Sequence, residues 1–384
     1  MSNTSNQHCF IQPLDILFLR DNHLFGSAGD SSRSLMPPWP SVFAGALRSR
    51  MVADSGASID DLKQGALPAP LDSILGTPEH PGDFMLGEVT LAVNNNGQVH
   101  ACRPLPADVV VTGEPGNYTI HRLKPQPLPE GLATSAVSRQ LPILRMSKAA
   151  KPVTDQWLNW AGWQAHLRGQ ALDAQKHLIA AGDLWKTETR LGIALDAQQR
   201  SAAEGKLYTS DAIAMNANTG FCITVHGAGD ALPKNGLLRL GGDGRGASIN
   251  TIDELARPEP DWQAIQDSGR FRLILTSPGI FPQGNNLPGV DGDGQWQAAG
   301  MSAQLLSQAV PRHQVVSGWD LHKHEPKTAL RCAPTGSVYW FEGFSGDIDA
   351  LRKLSKTGLW NLTLDNCNRQ RRAEGFNRVV IANA

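Results

Sequence analysis

The sequence predicts an α+β protein in which loops rich in glycine connect two sheet-forming units. Apolar segments of strand length recur along the chain, and helical periodicity is confined to a few places. The 38 glycines and 25 prolines exceed average usage, which indicates many structured loops. With 384 residues, of which 41% are hydrophobic and 18% charged, the chain is long enough for two globular domains.

The first elements in the sequence are a strand, a loop and a helix. Residues 10–19 are mostly apolar and predict a buried strand, which a polar stretch over residues 20–34 follows. Prolines at 37, 38 and 40 then interrupt regular structure. Ser41 is predicted to cap a helix, because the apolar residues between 42 and 47 share one helical face. This order is typical of the opening of a ferredoxin-like (RRM-like) βαβ unit.

Strand patterns dominate the rest of the chain. Residues 84–93 and 98–103 predict a hairpin, and residues 109–121 predict a second one. Residues 154–185 have helical spacing, with Trp157 and Trp160 as packing residues. The glycine-rich residues 279–300 predict a mobile loop. Further strands are predicted over residues 206–225, 236–240, 270–276 and 337–341.

These elements predict tandem ferredoxin-like domains with glycine-rich loops, a β-hairpin and helical insertions. Residues 1–150 are predicted to form the N-terminal domain, which contains the hairpin insertion. Residues 151–189 are predicted to form a helical insert, and residues 190–384 a C-terminal ferredoxin-like domain with glycine-rich loops.

Charge and cysteine usage restrict the classes of function. The net charge of −1 excludes a globally basic nucleic-acid binder, but it allows a local basic groove. The five cysteines are scattered without a CxxC pair, which predicts buried, reduced thiols and neither disulfides nor a zinc site. No signal segment is visible, and no apolar run approaches the roughly 20 residues of a membrane span. A cytoplasmic protein is expected.

A glycine loop, Gly242-Asp243-Gly244-Arg245-Gly246, is the first candidate site. It lacks the Lys-Ser/Thr of a P-loop, and no helix opens after it, as a dinucleotide fingerprint requires. Two interpretations stay open. The loop amides, with Arg239 and Arg245, approach an RNA backbone, or the loop is a tight turn between strands.

The start of the predicted helix is the second candidate site. Ser41 and Gly45 lie near its free backbone amides and positive dipole end, which can bind phosphate. Arg20 and Arg48 are close in sequence and could add charge to this site. Solvated surface arginines are the alternative interpretation.

Catalytic patterns are absent from the sequence. His322 and His324 lie on one face of a predicted strand without a third ligand, so no metal site is expected. His23 could act as a general acid or base in a metal-independent ribonuclease, but it has no identifiable partner. No hydrolase, zinc-protease or kinase motif occurs. We therefore expect no enzymatic activity, no metal and no cofactor.

Short motifs in the first half of the chain resemble those of RAMP-superfamily CRISPR proteins. Residues 13–21 end in Arg20-Asp21 and are followed by Phe25-Gly26, which looks like the opening of these proteins. Residues 36–48 resemble the segment that follows, with prolines before an Ala-Gly-Ala-Leu-Arg helix. Residues 188–196 and 203–208 are similar to a stretch of the third subunit of Cmr complexes in particular.

Three further motifs follow in the expected order. Residues 240–245 match the superfamily's Gly-Gly-acid-x-Arg loop, and residues 333–341 match its Pro-x-Gly-Ser-x-Tyr motif. Residues 374–376 match the closing Glu-Gly-Phe, with Asn377 in place of a second glycine. On all of these motifs together, the chain resembles the third subunit of the Cmr (type III-B) CRISPR effector complex. The resemblance is poor between residues 60 and 185.

The resemblance implies a non-catalytic subunit for antiviral defence. Such a subunit holds the repeat-derived 5′ tag of the crRNA, which needs backbone clamping and recognition of single-stranded bases. It lies between the large polymerase/cyclase-like subunit and a backbone RAMP subunit, and it meets target RNA indirectly. RNA cleavage would belong to neighbouring subunits. The expected RNA-binding residues are Arg20, Ser41, Gly45, Arg48, Arg190, Arg239, Gly242, Gly244, Arg245, Lys327 and Arg331.

Two other functions stay open from the sequence. One is a metal-independent endoribonuclease of the same superfamily that processes repeat RNA with His23 or His121. The other is a scaffold subunit that contacts only proteins through its glycine loops.

Overall fold

The computed structural model describes residues 6–19, 31–32, 34–131, 133–134, 138, 140–146, 149–195, 202–253, 255, 257–320, 323–362 and 368–384. Predictions about Arg20, His23 and His322 lie outside these residues. Within them the protein is α+β, with mostly antiparallel sheets and few helices, which confirms the predicted class.

Strands account for most of the regular structure. In chain order they are β1 (Gln7–Pro13), β2 (Ser31–Ser32), β3 (Met85–Asn95), β4 (Gln98–Pro104), β5 (Val109–Glu114), β6 (Asn117–Arg122), β7 (Lys124–Pro127), β8 (Gln140–Ile143), β9 (Gln156–Leu158), β10 (Leu178–Ala180), β11 (Trp185–Leu195), β12 (Ala202–Met215), β13 (Thr219–His226), β14 (Asn235–Leu240), β15 (Arg245–Ile252), β16 (Phe271–Leu275), β17 (Gln295–Ala298), β18 (Met301–Ala309), β19 (Gln314–Val316), β20 (Trp319–Asp320), β21 (Glu325–Pro326), β22 (Leu330–Cys332), β23 (Val338–Ser345) and β24 (Val379–Asn383).

The helices are short apart from the first. They are α1 (Pro40–Asp54), α2 (Ile59–Gln64), α3 (Leu71–Leu75), α4 (Trp160–Leu167), α5 (Ala174–His177), α6 (Trp262–Ser268), α7 (Ile348–Thr357) and α8 (Arg369–Ala373). None of these helices, which come from the described part of the chain, has the length and apolar character needed to cross a membrane.

The first large sheet has the strand order β10-β9-β4-β3-β13-β1-β15-β14 among the described residues. Strand β1 is antiparallel to both β13 and β15, and β13 is antiparallel to β3. Strands β1 and β3 are therefore parallel with β13 between them, and α1 connects them as a split β-α-β unit. The inner face of α1 packs on this sheet, where the rings of Phe43 and Phe221 lie 4.8 Å apart.

The second sheet has the order β17-β18-β23-β16-β24 in the described structure. Strand β16 is antiparallel to β23 and β24, and β18 is antiparallel to β23. Its core contains the stacked rings of Phe271 and Phe341, 4.9 Å apart, with Trp296 packed against both. Helix α7 connects β23 to β24 and buries Leu351 and Leu354.

The two sheets repeat one arrangement of four strands. In chain order these are β1, β3, β13 and β15 in the first sheet, and β16, β18, β23 and β24 in the second. In each sheet the first of the four lies between the third and the fourth. In the first sheet, α1 lies between the first and second of these strands along the chain. In the second sheet, α7 lies between the third and the fourth. The tandem ferredoxin-like organisation stays a prediction, which this shared strand order supports.

The division between the sheets differs from the predicted domain boundaries. The first sheet contains strands from all three predicted segments. Along the chain its last strand ends at Ile252, and the second sheet begins at Phe271. Residue 190, a predicted boundary, lies inside β11. Antiparallel pairing of β1 with β13 and with β15 joins parts of the chain that sequence composition separates.

Three predicted elements need correction. The predicted strand over 10–19 ends at Pro13, and beyond it Leu17 and Phe18 form single β-bridges in place of a continuous strand. Residues 154–185 contain only the short helices α4 and α5 between strands β9 and β10, since Trp157 pairs into the first sheet. Residues 279–300 are an ordered segment, because Trp296 is completely buried in the second core.

The described cysteines Cys9, Cys102, Cys222 and Cys332 are buried and unbridged. Burial raises the pKa of the thiols of Cys102, Cys222 and Cys332 to about 12. Uncharged thiols in these places act as small apolar side chains. Cys367 lies outside the described residues.

A buried ion pair joins the second sheet to the segment between β4 and β5. Arg272 of β16 contacts the carboxylate of Asp108, which precedes β5, and both side chains are 1% exposed. Arg272 Nη2 donates to the carbonyl of His166 at 2.7 Å, and its Nε donates to the carbonyl of Asn383 at 2.7 Å. Burial lowers the pKa of His166 to about 3, so its imidazole is neutral beside the ion pair.

We expect Asp108→Asn to lower the free energy of unfolding by about 3–5 kcal/mol, because it leaves the charge of Arg272 buried without a carboxylate. Urea unfolding of the full chain measures this loss. The control is Asp349→Asn, since Asp349 pairs with Arg352 at 2.8 Å on an exposed helix face and should contribute less than about 1 kcal/mol. Equal losses for the two variants would contradict the importance of the buried pair.

Candidate nucleic-acid interface

Helix α1 forms the centre of the candidate site. It begins at Pro40 after the extended residue Trp39, and no side chain caps it, so the prediction that Ser41 is the N-cap is wrong. Proline at the first helical position has the backbone angle that a helix needs and lacks an N–H that would stay unpaired there. Ser41 consequently lies within the first turn, one residue further into the helix.

The solvent face of α1 is a strip of small residues. Ser41, Gly45 and Ser49 follow each other at intervals of four, so they lie one above the other along the helix. Gly45 and Ser49 are exposed, and Ser41 is half-buried. The opposite face carries the buried side chains of Phe43, Leu47 and others. The helix thus packs on the sheet with one side and offers a smooth, polar surface on the other.

Two adjoining cavities lie along this strip, and together we call them the α1 groove. Their volumes are roughly 310 and 1190 Å³, and both are lined by Ser41, Gly45, Ser49 and Trp319. The larger one extends to the loop between β14 and β15. The smaller one extends to Arg48, Lys63, Lys327 and Arg371. Both sequence-predicted candidate sites therefore meet in one groove.

Gly45 lies in the middle of α1 without a structural reason for glycine. A Cβ atom placed there would have no other atom within 4 Å, and the helical backbone accepts any L-residue. Glycine inside a helix costs about 0.5–1 kcal/mol relative to alanine. The packing of the described structure therefore gives no reason for glycine at this position.

Arg48 lies beneath the groove with unused donors. Its guanidinium is 5.1 Å from the centre of the Phe84 ring. Its Nε and Nη2 atoms are buried and have no hydrogen-bond partner among the described residues. Burial lowers the pKa of Arg48, and nearby Glu374 opposes this change. A guanidinium with two free N–H groups is a strong site for an anionic oxygen.

Lys327 lines the groove, but its charge is already paired. Its Nζ lies 2.8 Å from Oε1 of Glu374, whose Oε2 accepts from Arg371 at 3.0 Å. Arg371 also donates to the carbonyl of Ser317 at 2.9 Å. This network holds the segment with Trp319 against α8. Lys327 thus has a structural role as well as a place in the groove.

The glycine loop is a tight turn between β14 and β15. Leu240 pairs with Arg245, so residues 241–244 make the whole connection. The N–H of Gly242 donates to the carbonyl of Phe18 at 2.8 Å and is not available to a phosphate. The loop therefore has the geometry of a tight turn, and its approach to an RNA backbone stays a prediction. Gly242 and Gly244 nevertheless line the larger cavity, together with the exposed Arg239.

Arg245 lies outside the α1 groove lining. Its guanidinium stacks 5.0 Å from the centre of the Phe18 ring, and its Nη1 is 4.0 Å from Asp15. Two other predicted arginines also do not line the groove. Arg190 is exposed on β11 and pairs with Glu188 at 3.3 Å, and Arg331 is exposed on β22 opposite Val315.

Trp319 is the groove residue that the sequence analysis missed. Its side chain is 55% exposed, although it begins the short strand β20 and lines both cavities. An exposed indole beside cationic side chains is a typical platform for stacking a nucleic-acid base. The sequence signal that could have identified this residue is a tryptophan directly after a glycine in the polar segment 317–320. Arg50 also lines the larger cavity, where it pairs with Asp54 at 2.6 Å.

Comparison with known proteins decides the family. The model of the CRISPR-associated protein family Cas_Cmr3 matches residues 9–384. The chain belongs to the Cas_Cmr3 family. This confirms the resemblance to the Cmr (type III-B) subunit that the sequence motifs predicted.

Solved structures agree with this membership at the level of the fold. A chain of the cryo-EM structure of the type III-B Cmr-beta bound to cognate target RNA and AMPPnP has 15% identity and a TM-score of 0.51, with 97% of this chain and 95% of that chain covered. A chain of Cmr-beta bound to cognate target RNA has the same identity and TM-score, with 97% and 96% covered. No curated protein matches this chain.

The closing family motif has a structural role in this Cas_Cmr3 member. Glu374 is 3% exposed and holds Lys327 and Arg371, as described above. Asn377 has a φ of 59°, a left-handed conformation that asparagine tolerates better than most residues. Its Oδ1 accepts from the N–H of Ile280 at 2.6 Å. Asparagine can therefore replace the second glycine of the motif.

We expect Gly45→Ala to raise the free energy of unfolding by about 0.5–1 kcal/mol, because alanine has the higher helix propensity and its methyl group meets no atom. Urea unfolding of the full chain measures the change. Gly56→Ala is the matched control, since Gly56 also has open space but a φ of 77°, where alanine is strained. A loss of stability in Gly45→Ala would show that the fold itself needs this glycine.

Proposed function

We propose that the chain binds crRNA as a non-catalytic subunit of a type III-B CRISPR effector complex, and that the α1 groove holds the RNA. The observation that carries this proposal is Gly45, an exposed helical glycine with no role in packing. It lines the groove together with the exposed Trp319 and Arg239, and Arg48 with its unused donors lies beneath. A bound RNA accounts for these four features together.

The groove has the parts that a single-stranded RNA requires. The small residues of the α1 strip allow a sugar-phosphate backbone to approach the helix closely. The hydroxyl groups of Ser41 and Ser49, with Arg48 and Arg239, supply donors for phosphate oxygens. Trp319 supplies a face on which one base can stack. A rigid double helix cannot combine contacts to a recessed arginine with stacking on a protruding indole.

The repeat-derived 5′ tag is the segment that we assign to the groove. A tag common to all guides can be recognised by a fixed site, whereas variable spacer sequences need backbone contacts alone. The family membership and the similar fold of a Cmr-beta chain, from a structure bound to cognate target RNA, support this assignment.

The same chain is proposed to bridge the large polymerase/cyclase-like subunit and a backbone RAMP subunit. The β11–β12 hairpin exposes two large apolar side chains, Leu191 and Ile193, at 67% and 46%. Apolar side chains on an exposed arm are typical of a protein interface. Target RNA would then meet this subunit only indirectly.

We also propose that the chain does not cleave RNA itself. His121, the described histidine of the endoribonuclease alternative, lies on β6, and its Nε2 is within 3.0 Å of Thr112 Oγ1. It does not line the α1 groove. A nuclease would need a general acid or base within hydrogen-bond reach of the bound RNA.

We expect Gly45→Leu to weaken the binding of repeat-derived single-stranded RNA at least tenfold, because the side chain occupies the path of the RNA backbone. Fluorescence anisotropy with the full chain measures the dissociation constant. Gly292→Leu is the control, since Gly292 also has open space around it and does not line the groove. Unchanged affinity in Gly45→Leu would place the RNA outside the α1 groove, and no measurable RNA binding by the unsubstituted chain would favour the protein-only scaffold.

Trp319→Ala should also weaken RNA binding, by about 1–3 kcal/mol for one stacked base. Trp319→Phe should retain most of the affinity, because it keeps an aromatic face. The same titrations report on both variants, and recovery of intact RNA afterwards tests the absence of cleavage. Cleavage that disappears in His121→Ala would establish the endoribonuclease, and equal affinities of the Ala and Phe variants would exclude stacking.

A further inference from the structure

A cavity separate from the α1 groove lies at the junction of the two sheets. None of its lining residues lines the α1 groove. Its volume is roughly 100 Å³. Strands β3 and β4 line one side, and β24 with the end of α7 lines the other. The connecting residues 257–260 form its rim. We call it the junction cavity.

Arg378 is the most deeply placed cation of the junction cavity. Its side chain donates to the carbonyl oxygens of Lys356, at 3.1 Å, and of Leu86. Its Nε is buried without a hydrogen-bond partner, and within the described structure no carboxylate pairs with it. The residue is only 5% exposed. Burying an unpaired charge in this way is unfavourable unless an anion compensates it.

Arg103 is the second buried cation. It pairs with Glu88, and its guanidinium lies 5.5 Å from the centre of the Trp163 ring. Its Nε is also buried and has no partner among the residues that the structure describes. Two residues that line the cavity, one on β4 and one directly before β24, thus each have a buried Nε–H group without a partner among the described residues.

Arg257 adds a third guanidinium at the exposed rim, where its Nη2 donates to Thr224 Oγ1 at 2.9 Å. Among the described lining residues, Lys356 is a further cation, and the acids are Glu88 and Glu259. The site is therefore positive. Burial, followed by the charges of Arg378 and Arg257, lowers the pKa of His226 to about 4. The lowering by these two arginines agrees with a local excess of positive charge.

We propose that the junction cavity binds one phosphate-sized oxyanion between Arg103, Arg257 and Arg378. The anion supplies the counter-charge that Arg378 lacks, and it accepts from the two buried Nε donors. Guanidinium groups bind phosphate oxygens through directed, charge-assisted hydrogen bonds. Because these arginines come from both sheets and from their connection, the anion joins the two halves of the molecule.

The size of the cavity defines the ligand class. The cavity volume is roughly 100 Å³. Sites for larger organic ligands occupy about 300–1,000 Å³. The volume of the cavity is therefore closer to that of a small oxyanion such as phosphate than to that of a larger organic ligand. The phosphate is either a free ion or the terminal group of a nucleotide whose remainder lies outside the rim.

Thermal unfolding and calorimetric titration of the full chain with sodium phosphate, against sodium chloride at equal ionic strength, test the proposal. We expect a saturable rise in Tm with phosphate only. Arg257→Gln should weaken phosphate binding at least tenfold and, being at the rim, should leave the chain folded. Arg270→Gln is the control, because Arg270 is exposed and pairs with Glu342 at 3.3 Å in the second sheet.

A titration with a nucleoside monophosphate distinguishes the two sources. Tighter binding than inorganic phosphate identifies a nucleotide, and equal or weaker binding identifies the free ion. The proposal is overturned if phosphate acts no differently from chloride. It is also overturned if Arg257→Gln binds phosphate as tightly as the unsubstituted chain.

Discussion

The buried pair of Arg272 and Asp108 is the interaction on which the arrangement of the two sheets depends. It lies where β16 meets the segment before β5, and the neutral His166 completes its surroundings. An arginine placed so deeply requires its carboxylate, so the sheets cannot separate or slide without exposing an unpaired charge to an apolar interior. Both proposed ligand sites take residues from the two sides of this junction.

The α1 groove illustrates this dependence. The floor of the groove is α1, which packs on the first sheet. The wall that contains Trp319 belongs to the second half of the chain. Glu374 connects the two through Lys327 and Arg371, next to the underside of Arg48. A movement between the units would therefore change the width of the groove. The same holds for the junction cavity, whose arginines come from β4, from the position directly before β24 and from the connection between the sheets.

Sequence reasoning succeeded where local chemistry decides the structure. The hairpin of β3 and β4, the paired strands β5 and β6, and the apolar inner face of α1 follow from alternation and helical spacing. It failed where distant contacts decide. Trp157 and Trp160 have helical spacing, yet Trp157 belongs to β9 because the edge of the first sheet offers a partner. Trp296 orders a segment rich in glycine because Phe271 and Phe341 surround it.

The sequence by itself determined the family, the α+β class and the position of Gly45 within a helix, since these depend on short motifs and local propensities. Only the tertiary structure decided which cations are available to a ligand. Lys327 has a partner 47 residues away in Glu374, whereas Arg48 keeps two unused donors and Arg239 stays exposed. The physical reason is that the availability of a charge depends on the groups that the fold brings beside it, and spacing along the chain does not encode those neighbours.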